Sequence, residues 1–88
     1  MNLLFTPNVW ADYQHWIETD RTILARLNEL LRDVRRGPFK GLGKPEPLKG
    51  DLSGWWSRRI TQDHRLVYRV VGKGEAQQIE VVACRQHY

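Results

Sequence analysis

The sequence predicts an α+β fold: an N-terminal strand, then an antiparallel helix hairpin packed on a twisted antiparallel β-sheet. Three observations predict it. Two apolar stripes at helical spacing occupy residues 7–36, and three β-branched and aromatic runs separated by short polar turns occupy residues 55–84. Between them lies a segment too rich in glycine and proline for regular helix. At 88 residues and 41% hydrophobic content the chain can form one modest core, and no internal repeat or low-complexity tract divides it. A single domain spanning residues 1–88 is expected.

Residues 2–5 read as a short apolar strand. Thr6 followed by Pro7 supplies an N-cap and a proline at the first helical position, so a helix starts there. Its Val9, Trp10, Tyr13, Trp16 and Ile17 share one face, which is assigned to the core. Thr19 or Asp20 then caps a second helix, in which Ile23, Leu24, Leu27, Leu30, Leu31 and Val34 form a continuous stripe until Gly37 and Pro38 end it. The short connection at 18–20 makes the pair an antiparallel hairpin lying on a sheet.

From Gly37 to Gly50 the chain holds Gly37, Gly41, Gly43, Gly50, Pro38, Pro45 and Pro47, which leaves a surface loop with at most short strand pieces. The loop also concentrates Lys40, Lys44, Glu46 and Lys49, and loops on a rigid scaffold are common seats of binding and catalysis. Beyond it, residues 55–61, 64–71 and 78–84 form a three-stranded meander with turns at Gln62-Asp63 and Gly72-Lys73-Gly74. Along the middle strand Leu66, Tyr68 and Val70 face the helices, while Arg65, Val67 and Arg69 face away. That second face is either a concave basic surface or a set of arginines lying over apolar stems. The adjacent Trp55 and Trp56 point to opposite faces, so at most one joins the core; the other lines an RNA surface or a dimer contact.

Several function classes are excluded or disfavoured. No run approaches the ~20 apolar residues of a membrane span, and the start lacks the basic flank and apolar core of a signal peptide, so a cytoplasmic protein is expected. The single Cys84 forms no internal disulfide and reads as a buried strand-end residue. His15, His64, His87 and Cys84 lack metal-ligand spacing, and Gly41-Leu42-Gly43-Lys44 fits no phosphate loop, so neither metal nor cofactor is expected. The formal charge of +4 is unevenly placed: residues 1–34 carry −2, residues 35–69 carry +6, and the remainder is neutral. A central block this basic favours a polyanion such as nucleic acid, although a merely solvated surface would read the same.

What remains is an acid/base inventory: Glu46 in a basic loop, arginines on a strand, and the terminal pair His87-Tyr88. These suit attack of a ribose 2′-hydroxyl on its adjacent phosphate, which needs a base, a cation for the charge developing at phosphorus, and an acid for the leaving oxygen. The bland alternatives are that Glu46 pairs with Lys44 or Lys49 and that His87-Tyr88 is a frayed end.

Gly43-Lys44-Pro45-Glu46-Pro47-Leu48-Lys49, Leu52-Ser53-Gly54-Trp55-Trp56-Ser57-Arg58-Arg59-Ile60, His64-Arg65-Leu66-Val67-Tyr68 and the terminal Ala83-Cys84-Arg85-Gln86-His87-Tyr88 closely resemble, in order, the YoeB branch of the RelE toxin superfamily. The likeness extends to Asp12, Tyr13 and Trp16 of the first helix and to Arg35-Arg36. It implies a RelE-like microbial ribonuclease fold and a toxin of a type II toxin-antitoxin pair that cleaves messenger RNA in the ribosomal A site. Carried over by position, Glu46 is the general base, His87 the general acid, and Arg65 the clamp on the charged transition state. Lys49 and Arg59 match phosphate-contacting positions, and Tyr88 the tyrosine that helps hold RNA; Arg58 is a weaker candidate because it points away from Arg59. Implied partners are the 70S ribosome with its message, an acidic and partly disordered antitoxin, and a second copy in a homodimer. The polar Gly72 to Gln78 connection is longer than the family leads one to expect. Two rivals use the same basic face without catalysis: a nucleic-acid-binding translation inhibitor and a pure interaction protein.

Overall fold

The structure is a computed structural model, and it describes residues 1–86. Strand β1 (Asn2–Phe5) leads into helix α1 (Pro7–Thr19) and helix α2 (Arg21–Arg36). A loop follows, and then strand β2 (Glu46–Pro47), a 3-10 turn at Gly50–Leu52, and strands β3 (Trp56–Arg59), β4 (Arg65–Val71) and β5 (Gln78–Ala83). The two helices cover one face of a five-stranded sheet ordered β1-β5-β4-β3-β2. The meander is antiparallel as expected, and β2 extends it. The sheet as a whole is mixed, because β1 lies parallel to β5 in the register Leu3↔Ile79. Local residue patterns specify a strand but not its distant neighbour, and the helix hairpin between β1 and the meander is long enough to return the chain in parallel.

The helix boundaries follow from capping. The Thr6 hydroxyl accepts from the Val9 amide at 3.3 Å, with Pro7 in the first turn. Of the two candidates for the second cap it is Asp20 that acts, its carboxylate accepting from Thr22 at 3.1 Å and Ile23 at 3.0 Å. The hairpin is tied across by Tyr13 Oη donating to Asn28 Oδ1 at 2.6 Å. Leu27, Leu30, Leu31 and Val34 of α2 pack with Val9 and Trp16 of α1 against Leu66, Tyr68, Ile79 and Val81 of the sheet. Trp10 departs from expectation: it is 55% exposed, lying stacked on Tyr13 with ring centroids 6.0 Å apart. The buried arc of α1 is centred on Val9 and Trp16, and a side chain as large as Trp10 at its rim finds an aromatic neighbour rather than the interior. The long connection from Gly72 to Gln78 leaves the hairpin intact, because Gly72 turns at φ +84° and a 3-10 turn at Gly74–Ala76 takes up the extra residues before Val71↔Gln78 pairs.

One charged residue lies inside this core. Arg58 is fully buried, and all five of its N–H groups have partners. Nε donates to Tyr68 Oη at 3.1 Å; Nη1 donates to Asp33 Oδ2 at 2.6 Å and to the Leu42 carbonyl at 3.2 Å. Nη2 donates to the carbonyls of Gly37 at 2.7 Å and Lys40 at 2.9 Å. Asp33 in turn accepts from the Leu42 amide at 2.9 Å. The loop after α2 is therefore wrapped around a guanidinium. Its glycines make that approach possible: a Cβ on Gly41 would collide with the Asp33 carboxylate, and one on Gly43 would sit 2.8 Å from Leu30 Cδ2 and 3.1 Å from Arg58 Cβ. Both glycines also adopt positive φ, at +121° and +80°.

The Leu42 amide first, and the Arg58 guanidinium second, hold the Asp33 carboxyl below its ordinary value of 3.8. Because the folded value is the lower one, Asp33 contributes its full stabilisation above the ordinary aspartate range and loses it as pH falls through the depressed value. Asp33→Asn is expected to cost about 3 kcal/mol at neutral pH, since it leaves a buried cation unpaired. Urea denaturation as a function of pH checks this: the difference between wild type and variant should shrink as pH falls below about 4.

Candidate functional site

The sheet face turned away from the helices carries the candidate site. Cross-strand pairing places Glu46 opposite Ser57, Ser57 opposite Val67, and Val67 opposite Ala83, so one row runs across four strands with Glu46 at its outer end. Directly opposed residues share a face, and so do residues two apart along a strand. Arg59 and Arg65, which oppose each other two positions from Ser57 and Val67, therefore lie on the same face as Glu46. With strands about 4.8 Å apart and about 3.4 Å per residue, the Glu46 and Arg65 backbones are roughly 12 Å apart, a gap their side chains can narrow to the width of a ribose-phosphate unit.

The electrostatics of this face are unusual. Arg59 and Arg65 are like charges directly opposite each other, a pairing that destabilises a sheet. Among the described residues neither side chain has a hydrogen bond or ion pair, and they line, with Gln62, a cavity of about 460 Å³. Glu46 is exposed and makes no ion pair with Lys44 or Lys49 among the described residues. Lys49 is exposed too, and its carbonyl accepts from the Leu52 amide at 3.3 Å where the chain enters the 3-10 turn. Arg69, further along β4, is occupied: it pairs with Glu80 at 3.2 Å and lies 4.4 Å over the Trp55 ring. Trp55 thus belongs to the open face and Trp56, packed against Phe39 with centroids 4.9 Å apart, to the helix side. Beside the row, Leu52, Val67, Val82 and Ala83 enclose an apolar hollow of about 200 Å³, where a register shift in the β4–β5 ladder leaves Val82 unopposed.

The structure thus brings Glu46, Arg59 and Arg65 to one face and places Lys49 three residues beyond Glu46. The expected roles of His87 and Tyr88 lie outside the described residues. Arg58, next to Arg59 in sequence, belongs to the core. Two features of the site escape sequence reasoning. One is the Ser57 hydroxyl, fully buried in the Glu46 row and without a hydrogen-bond partner among the described residues. The other is His64, whose Nδ1 accepts the Gln86 amide at 2.8 Å. Nothing in the order of residues links positions 64 and 86. Among the described residues no three of His, Cys, Asp and Glu gather as metal ligands.

The model of the YoeB-like toxins of bacterial type II toxin-antitoxin systems matches residues 5–88. The chain belongs to that family. It is 54% identical over all 88 residues to the toxin YoeB of Streptomyces coelicolor, each chain being covered completely. It matches a solved YoeB/ParE toxin from Agrobacterium tumefaciens at a TM-score of 0.96 and 55% identity, again over the whole of both chains. Staphylococcus aureus YoeB, solved as a dimer, covers 100% of this chain over 98% of its own length at a TM-score of 0.87 and 38% identity. The same toxin is also solved as a heterotetrameric YoeB-YefM toxin-antitoxin complex. In this YoeB-family chain, no helix among the described residues is long and apolar enough to cross a membrane.

Cys84 takes no part in the open face. Its side chain is buried, and burial pushes the thiol up to about 12. It should resist iodoacetamide at pH 8 in the folded protein and react once urea unfolds it, as mass spectrometry would show. The Arg59 and Arg65 pairing makes a second prediction. Arg59→Gln should raise stability by about 0.5 kcal/mol by removing the cross-strand repulsion, measured as an increased urea midpoint with an unchanged slope.

Proposed function

We infer that this toxin is a ribosome-dependent endoribonuclease that cuts messenger RNA in the A site and so stops translation. The observation that carries the reading is the convergence of Glu46, Arg59 and Arg65, all without side-chain partners among the described residues, on one open face of a YoeB-family fold. A face that keeps two opposed arginines unpaired is disposed toward an anion, and RNA phosphate supplies one.

In the proposed reaction Glu46 takes the proton of a ribose 2′-hydroxyl as its oxygen bonds to the neighbouring phosphorus. The bond from phosphorus to the 5′-oxygen breaks, and His87 gives that oxygen a proton. Arg65 offsets the charge developing on the phosphoryl oxygens, a differential stabilisation of the transition state. Lys49 and Arg59 hold flanking phosphates, and Tyr88 helps to hold the RNA. The substrate supplies its own nucleophile, so positioned proton transfer and electrostatics suffice, with no cofactor.

The toxin would act in the cytoplasm, where ribosomes are. By analogy with the Staphylococcus aureus complexes, its partners would include a cognate antitoxin, acidic enough to complement the basic face and partly disordered until bound, and a second copy in a homodimer.

Primer extension on a message in a cell-free translation reaction tests the reading, with Glu46→Ala and His87→Ala beside the wild type and with and without ribosomes. Discrete A-site cuts in the wild type, falling at least about 100-fold in each variant and absent without ribosomes, are expected. Arrested translation on intact RNA would replace the enzyme by a noncatalytic ribosome-binding inhibitor.

A further inference from the structure

We propose that His64 is a positioning residue for the catalytic acid: its imidazole holds the backbone of Gln86 and thereby sets where the chain goes immediately before His87. The inference rests on the reading of His87 as general acid, and the residues that carry it are all described.

His64 is itself fixed before it acts. It closes the turn between β3 and β4, where its carbonyl accepts from the Ile60 amide at 3.0 Å and the Thr61 amide at 3.2 Å. The Thr61 hydroxyl accepts from the amides of Asp63 and His64, both at 3.2 Å, so the short turn is held from inside. The ring meets the edge of Trp16 with centroids 4.8 Å apart, and Trp16 is anchored by its Nε1 donating to the Cys84 carbonyl at 3.0 Å. Helix α1, the β3–β4 turn and the segment after β5 therefore meet at this imidazole.

From that position Nδ1 accepts the Gln86 amide at 2.8 Å, while the Arg65 amide donates to the Gln86 carbonyl at 3.3 Å. Consecutive residues 64 and 65 thus grip both polar groups of one peptide residue, one by a side chain and the other by backbone. Gln86 is held in a left-handed conformation, φ +65°, which a non-glycine residue adopts at a cost and only where its surroundings impose it. Past the end of β5 at Ala83, this two-point grip holds the backbone at Gln86, the residue that leads into position 87. Arg65 belongs to both arrangements: its backbone holds Gln86, and its side chain faces the cavity with Arg59. The acid would thereby be referenced to the transition-state clamp through a single residue.

An acceptor at the Nδ1 position is the property the grip needs. Asparagine places its Oδ1 near that position, and leucine keeps the bulk without an acceptor. In His64→Leu, kcat on ribosome-bound message should fall about 10- to 100-fold with KM unchanged, since an acid misplaced for the leaving oxygen weakens only the transition state. His64→Asn should stay within about threefold of wild type, as the rescue of a hydrogen bond predicts and the loss of an aromatic contact does not. Hydrogen exchange at the Gln86 amide gives an activity-independent readout, expected to accelerate in the leucine variant and to stay slow in the asparagine one. Should His64→Leu fail to fold, His64→Gln, whose acceptor reaches the Nε2 position instead, takes its place with the same expected losses. Equal kcat in wild type and the acceptor-less variant overturns the proposal, and so does an equal loss in both variants. If cleavage is indifferent to His87→Ala, the parent reading fails on that variant, and unchanged Gln86 exchange in His64→Leu would then overturn the grip itself.

Discussion

A guanidinium taken out of water must find a partner for every N–H it carries, and Arg58 meets that demand with parts of the chain that otherwise have no reason to be near one another. Its partners come from the end of α2, the glycine-rich loop and β4. Without these partners the core would hold a stranded charge, and the loop closes around the guanidinium to supply them. The backbone follows: the Arg59 amide donates to the Gly43 carbonyl at 2.7 Å, and within three residues the chain becomes β2 with Glu46 on it. A stretch whose composition promises irregularity thus delivers a candidate base to a defined place. Its order is imported from a charge in the core.

Strand alternation separates the two tasks of the sheet. Arg58 and Arg59 are neighbours with the same side chain, yet one is sealed under the helices and the other stands exposed opposite Arg65. On the helix side the buried guanidinium has a partner for every N–H; among the described residues the open side keeps Arg59 and Arg65 without ion pairs, a Ser57 hydroxyl without a hydrogen bond, and an apolar hollow. Groups left unsatisfied in the free protein are what a ligand can satisfy, and the surplus stability of the first face tolerates their cost on the second.

Much of this architecture is legible in the sequence because it rests on local rules. Thr6-Pro7 and Asp20 announce helix starts through capping chemistry that involves three or four residues. The alternation of β4 separates Leu66 and Tyr68 from Arg65 without reference to anything distant. Legibility fails where the deciding partner is remote. Trp10 has the spacing of a core residue, but whether the rim of the stripe is covered depends on how α1 settles over the sheet. The parallel docking of β1 beside β5 and the grip of His64 on Gln86 join residues more than 20 positions apart. Glu46 and the strand arginines come to notice from residue chemistry alone, but the particular roles of Glu46, Arg59 and Arg65 come only through resemblance to a family; their shared face is a consequence of register. Arg58 left a readable trace, since a charge at an inward position requires a counterpart, and Asp33 occupies the last turns of α2.

The place of β5 in the sheet has a consequence for how the molecule comes into being. It is the last strand in sequence and lies between β1 and β4, so until it is inserted the earlier strands form two separate pieces with no ladder between them. On a ribosome, where a chain emerges from its N-terminal end, β1 must wait until both helices and strands β2 to β4 have emerged before its neighbour β5 appears. Cooperative closure is deferred until residues 78–83 have cleared the exit tunnel, and with it the assembly of the face they complete.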